Sequence, residues 1–238
     1  MMAFFGTGEL LAQGDLTSTN TQSFYGVFDN TSDLSNYPSG SVPAPPYTRS
    51  NLQQQTVTAQ TVTISGTSSQ ALTSSNNPVN LTYAPISVTN SSAPPATVSL
   101  NPQEGWYFDL SSVSSGARSY TISQVENGGV VFTINIPPTS SCAQPASYLM
   151  NVNYLSGGPF SQPSIGLAGG LSIGTATLAN GTTVNITGTL VGQTYSAAPT
   201  TAKSGSGSNV QIISTAQGLT VIPTIGHSSS RVGWWQIK

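Results

Sequence analysis

Charge is scarce in this sequence. Lys, Arg, Asp and Glu together make up 5% of its 238 residues, against about 25% in an ordinary globular domain. Five Lys and Arg cannot form the basic stripe that phosphate neutralisation requires, so no nucleic-acid partner is expected. Polybasic or amphipathic segments that would hold a membrane surface are also missing. Every apolar run falls short of the ~18 residues of a membrane-spanning helix, so no membrane span is expected. The opening Met1-Met2-Ala3-Phe4-Phe5-Gly6 has neither the positive region nor the apolar stretch of a secretory signal. Either the chain is not exported by that route or its beginning is missing. A single cysteine, Cys142, excludes an internal disulfide and cysteine-based zinc clusters. The strong helix formers Glu, Lys and Arg are nearly absent, and no segment shows an amphipathic helical period.

What is present favours sheet. The hydrophobic content of 37%, with 9 Tyr, 7 Phe and 3 Trp, is enough for a real core. The chain carries 37 Ser, 30 Thr, 16 Asn and 15 Gln, so its surface must be built from uncharged hydrogen-bonding groups. Thr, Val, Ile and aromatics recur in short runs, which predicts strands over 3–5, 23–29, 56–64, 105–110, 130–136 and 147–154. Further strands are predicted over 183–191, 210–214, 220–225 and 231–237. In the strand at 56–64, Val57, Gln60, Val62 and Ile64 sit among Thr residues, as in a half-buried strand. Asn127-Gly128-Gly129 reads as a tight hairpin turn before Val130. Three stretches read as loops: 36–46, 67–95 and the linker-like 200–208. The class is all-β, and composition alone leaves propeller, sandwich and solenoid open.

A set of segments, taken in order, narrows that choice. They begin with Phe4-Phe5-Gly6-Thr7-Gly8-Glu9-Leu10-Leu11 and Gly14-Asp15-Leu16. Thr21 to Asp29 and Arg49-Ser50-Asn51-Leu52-Gln53-Gln54-Gln55 come next. Gly105-Trp106-Tyr107-Phe108-Asp109-Leu110, Gly116-Ala117-Arg118, Gly128 to Thr133 and Ser147-Tyr148-Leu149-Met150 follow. The chain ends Arg231-Val232-Gly233-Trp234-Trp235-Gln236-Ile237-Lys238. In this order the segments resemble the C-terminal β-propeller of the PilY family, the tip-associated adhesion and biogenesis proteins of type IV pili. The likeness is good over 1–160, weaker over 161–238, and returns in the closing C-terminal strand.

The resemblance implies a partial β-propeller, the last two or three blades of a quinoprotein-dehydrogenase-like propeller with long polar loops. It singles out Gly6, Gly8, Trp106, Asp109, Arg118 and Trp234 as motif residues with structural roles. It also implies an extracellular, pilus-tip protein in adhesion, fimbrium biogenesis and twitching motility. Minor pilins, a host or mineral surface, or a missing propeller segment on another chain would be its partners. The alternative is a self-assembling extracellular filament or phage-type structural β protein, since exposed strand edges invite pairing. Family propellers often carry an Asp-rich calcium loop. The seven carboxylates here form no such run, so neither calcium nor another metal or cofactor is expected.

Little in the residues points to catalysis. His227, the one histidine, lies in Gly-His-Ser-Ser-Ser with no nucleophile elbow beside a suitable acid. Cys142 has no neighbouring base to lower its pKa. Asp29 and Asp33 are read as turn formers, and Arg118 as at best an ion-pair partner of Glu126 across a hairpin. Quinoprotein dehydrogenases share the propeller class but need many charged residues at the propeller mouth. The expectation is therefore a protein that is not an enzyme.

Overall fold

The computed structural model describes residues 1–29, 46–89, 96–138, 140, 142–168, 173–203 and 209–224. Seventeen strands occur among them, joined by turns and three short 3-10 turns. In chain order these begin with β1 (Met2–Gly6), β2 (Ser23–Phe28), β3 (Gln53–Gln55), β4 (Val57–Ile64), β5 (Thr67–Ser74) and β6 (Ile86–Thr89). Next are β7 (Thr97–Leu100), β8 (Gly105–Asp109), β9 (Gln124–Glu126), β10 (Gly129–Ile136), β11 (Ala146–Asn153) and β12 (Ala176–Leu178). The last are β13 (Thr183–Val184), β14 (Gly188–Gly192), β15 (Thr200–Lys203), β16 (Asn209–Thr215) and β17 (Gly218–Thr224).

They make three principal sheets. The first has the order β1-β2-β8-β3, the second β13-β12-β4-β5-β14-β11-β10-β9, and the third β15-β16-β17. A separate hairpin pairs β6 with β7. Pairing is antiparallel throughout, except that β3 runs parallel to β8. Strands from both sides of residue 160 share the second sheet.

The second sheet lies between the other two. On β10, Val130, Phe132 and Ile134 join a cluster with Phe24, Trp106 and Phe108 of the first sheet. Val131, one position out of phase, joins a second cluster with Leu149, Ile213 and Ile222. Side chains alternate along a strand, so β10 is buried on both faces. β11 follows the same rule: Met150 packs in one cluster and Leu149 in the other. β4 changes face along its length, with Val57 in the first cluster and Val62 and Ile64 in the second.

Several expectations need correction. The stretch 67–95, expected as loop, contains β5 and β6. β5 pairs with β4 over its whole length, from Val57 opposite Ser74 to Ile64 opposite Thr67. Ser65 and Gly66 close this hairpin with φ of 50° and 82°, the left-handed pair that a two-residue type I′ turn requires. Asn127 and Gly128 do the same at 49° and 82° between β9 and β10. The linker expected at 200–208 begins as β15. The single strand expected over 183–191 is two, β13 and β14, on different neighbours. Most of the 36–46 loop and the strand expected at 231–237 lie outside the described residues.

Candidate functional site

Three of the singled-out residues meet in one knot. β1 ends at Gly6, where a Cβ would fall 2.0 Å from the Ser119 carbonyl oxygen. Gly8 has φ +107°, and a Cβ there would lie 2.7 Å from that of Arg118. No larger residue fits either position, which lets the chain after β1 run directly against Arg118. Arg118 itself is 3% exposed. Its Nε donates to the Gly116 carbonyl at 2.9 Å, Nη1 to Glu9 at 2.8 Å and Nη2 to Ser18 at 3.0 Å. Its backbone exchanges hydrogen bonds with Asn135, at 2.9 and 2.8 Å, which ties the knot to β10.

The expected Arg118–Glu126 ion pair does not form. The guanidinium fork is directed to main-chain oxygens, and Glu126 accepts instead from Thr201 at 2.7 Å and Gln211 at 3.2 Å. Arg118 thus fastens both ends of the loop that follows β1. Within that loop Asp15 accepts from the backbone N–H groups of Leu11 and Ala12, each at 2.8 Å. Those hydrogen bonds hold its carboxyl below the ordinary value of 3.8. Gly8, Glu9, Asp15, Asn20, Gln22 and Arg118 border an open polar hollow.

Trp106 lies in the core between the first two sheets. Its ring is held between Gly26 and Gly157, at which a Cβ would fall 2.5 and 2.6 Å from indole carbons. The indole Nε1 donates to the Tyr154 carbonyl at 2.9 Å, so the buried polar atom is satisfied. Phe108 meets it edge-on at 5.3 Å. Phe24 stacks between the sheets on Phe132, with ring centroids 3.6 Å apart.

Asp109 points the other way, to the outward face of the first sheet. Alternation along β8 predicts this, since Trp106, Phe108 and Leu110 are fully buried. Its carboxylate accepts from Ser23 Oγ at 2.7 Å and Gln54 Nε2 at 3.1 Å, and pairs with Arg49. The Arg49 guanidinium sits 4.2 Å from the centre of the Tyr107 ring and 6.0 Å from that of Tyr25. Partial burial works against its charge. Asp109 and the two tyrosines outweigh that effect and raise its pKa. In register across the strands stand Phe5, Tyr25, Tyr107 and Gln54. Phe5 and Tyr25 are 5.2 Å apart and Tyr25 and Tyr107 5.9 Å apart, both pairs stacked. Phe5 remains 47% exposed.

Here a cation, a carboxylate, planar amides and aromatic rings meet on one surface. The sequence reading placed Arg49 and Tyr25 in motif segments without marking them as site residues. The available signal was an arginine in a chain with five basic residues. Among the described residues no group of three His, Cys, Asp or Glu side chains is placed to share a metal. Cys142 is exposed. Trp234, His227 and Asp33 lie outside the described residues.

No family model matches the chain, and no curated protein sequence does. Among solved structures it is similar to the crystal structure of the Pseudomonas aeruginosa PilY1 C-terminal domain, with a TM-score of 0.67 and 21% identity. The alignment covers 96% of this chain and 42% of that one. The fold is that of a β-propeller domain. This chain spans less than half the length of the PilY1 chain it matches. The face-to-face stacking of sheets on β10 and β11 is the packing that neighbouring propeller blades use.

Proposed function

We propose that this chain is the propeller part of an extracellular type IV pilus protein that acts by binding rather than by catalysis. The observation that carries the reading is the likeness of nearly the whole chain to the PilY1 C-terminal domain. The surface is consistent with it, being poor in charge and rich in hydroxyl and amide groups. Such a surface binds through many weak hydrogen bonds, with tyrosines supplying apolar area. Minor pilins or an external surface are the partners, and the contact face is the outward side of the first sheet around Arg49, Tyr107 and Asp109. A cation, rings and amides already ordered on a sheet lose little freedom on binding.

The test follows a tagged full-length protein through pili sheared from its native cells. Cofractionation with pilin is expected, together with loss of surface pili or of adhesion when the gene is deleted. A tag absent from the pilus fraction, with piliation and adhesion unchanged by deletion, refutes the reading. The Arg49→Ala and Tyr107→Ala variants then test the face. Each should cost only about 1 kcal/mol of stability, as exposed ion pairs and cation–π contacts do. Both should impair adhesion or piliation while keeping the protein folded. Wild-type behaviour in both variants would remove this face from the proposal.

A further inference from the structure

The second and third sheets enclose a polar cavity with room for about one water molecule, bordered by Glu126, Asn151, Asn209, Gln211 and Thr224. Asn151 is 4% exposed and sits on β11 opposite Val131, on the face turned to the third sheet. Its Nδ2 donates to the Ser164 carbonyl at 3.2 Å. A carbonyl only accepts, so this bond fixes which way the amide is turned. Asn151 Oδ1 is therefore a buried acceptor aimed into the cavity, and no protein donor reaches it. Gly129 keeps the space clear, because a Cβ there would lie 2.4 Å from this oxygen.

The polar neighbours are already engaged. Gln211, fully buried, donates to Glu126 at 3.2 Å and to Thr201 at 2.9 Å. The Glu126 carboxylate has acceptor capacity beyond the bonds from Gln211 and Thr201. A guest must therefore donate two hydrogen bonds to acceptors and be no larger than water. We propose that this cavity binds one water molecule, which donates to Asn151 Oδ1 and to the Glu126 carboxylate. Around it the contact between these sheets is apolar, from Val131, Leu149, Ile213 and Ile222. Apolar contacts are non-directional, whereas a water with two fixed acceptors sets the position of the third sheet on the second.

A crystal structure of the full chain at high resolution tests this, alongside Asn151→Asp, which retains an acceptor, and Asn151→Leu, which does not. One ordered water about 2.8 Å from Asn151 Oδ1 and from Glu126 is expected, kept in Asn151→Asp and lost in Asn151→Leu. A dry cavity, or an amide turned to place Nδ2 inside it, overturns the proposal. Melting curves in sodium, potassium and choline chloride at equal ionic strength should coincide. A melting temperature raised by sodium or potassium alone would place a cation at these oxygens and overturn it too. If Asn151→Leu does not fold, the wild-type density and the salt series still decide.

Discussion

Adding one methyl group at Gly26 should be nearly as harmful as cutting into the indole it faces. The Gly26 Cβ would lie 2.5, 2.7 and 2.9 Å from three atoms of Trp106, where carbon atoms ordinarily rest about 3.5–4.0 Å apart. The ring cannot slide away, since the Gly157 side stands 2.6 Å from its opposite edge by the same measure. Overpacking of this kind costs about 1–3 kcal/mol. Trp106→Ala removes a fully buried side chain and leaves the Tyr154 carbonyl without its donor. Truncations of buried aromatics cost about 3–5 kcal/mol, or about 6–20 °C in melting temperature at 2–4 °C per kcal/mol for a chain of this size. Trp106→Phe frees space beside Gly26, so it should make Gly26→Ala less harmful. Urea unfolding followed by circular dichroism, with all four members of the Gly26→Ala/Trp106→Phe cycle, measures this relief. A coupling energy of about 0.5–3 kcal/mol is expected for residues in contact. Additive penalties, or a neutral Gly26→Ala, would refute the clamped-ring account.

Three further outcomes follow from the same structure. Arg118→Met should strip three carbonyls of their donor and cost about 2–5 kcal/mol, as breaking a buried charged network does. Limited proteolysis should then cut within residues 8–18, and an uncut loop would argue against the anchoring role. The depressed Asp15 carboxyl contributes stability above pH 3.8 that is lost as pH falls through its lower folded value. The Leu11 and Ala12 amide resonances should therefore shift in that acid range, and a transition at or above pH 4 would contradict it. Burial raises the hydroxyls of Tyr148, Tyr195 and Tyr120 above 10.0. Unfolded tyrosines ionise first as the solution becomes more alkaline, so stability should hold below pH 10 and fall above it. Tyrosinate absorbance appearing before unfolding would refute that order.

Much of the scaffold was readable because its strands carry their own evidence. β10 and β11 are almost continuous apolar runs, and Gly105 to Leu110 alternates cleanly between core and surface. Asn127-Gly128 names its turn type, while the Ser65-Gly66 turn lacks so plain a signal. β5 was read as loop because only Ala71 and Leu72 are apolar among its eight residues. Its remaining Ser, Thr and Gln side chains find partners on β4 instead, as in Gln60–Thr73 and Gln70–Thr61. Cross-strand pairs of this kind stabilise a sheet without any apolar period to reveal it. The outward site was hidden for a different reason. Asp109 and Arg49 lie sixty positions apart, and the parallel pairing of β3 with β8 helps bring their segments together. Arg118 misled by proximity to Glu126 in the sequence, whereas main-chain oxygens supplied its partners.

The uncharged polar residues cannot be explained by the surface alone. A sheet packed on both faces still needs polar side chains where strands end and neighbouring segments cross. Thr133, Asn135, Ser147, Asn151, Thr187 and Thr189 are all buried in or beside the second sheet. Asn135 shows what they do: its amide donates to the Ser196 carbonyl at 3.2 Å and accepts from the Ser196 N–H at 2.8 Å. A hydroxyl or amide in such a place can be satisfied by one or two backbone groups. A charged side chain would have to recover several kcal/mol of desolvation. Arg118 meets that demand with three carbonyl acceptors gathered around it. Few positions between stacked sheets can assemble so many acceptors. The low charge content therefore belongs to the stacking of the sheets as much as to the solvent-facing surface.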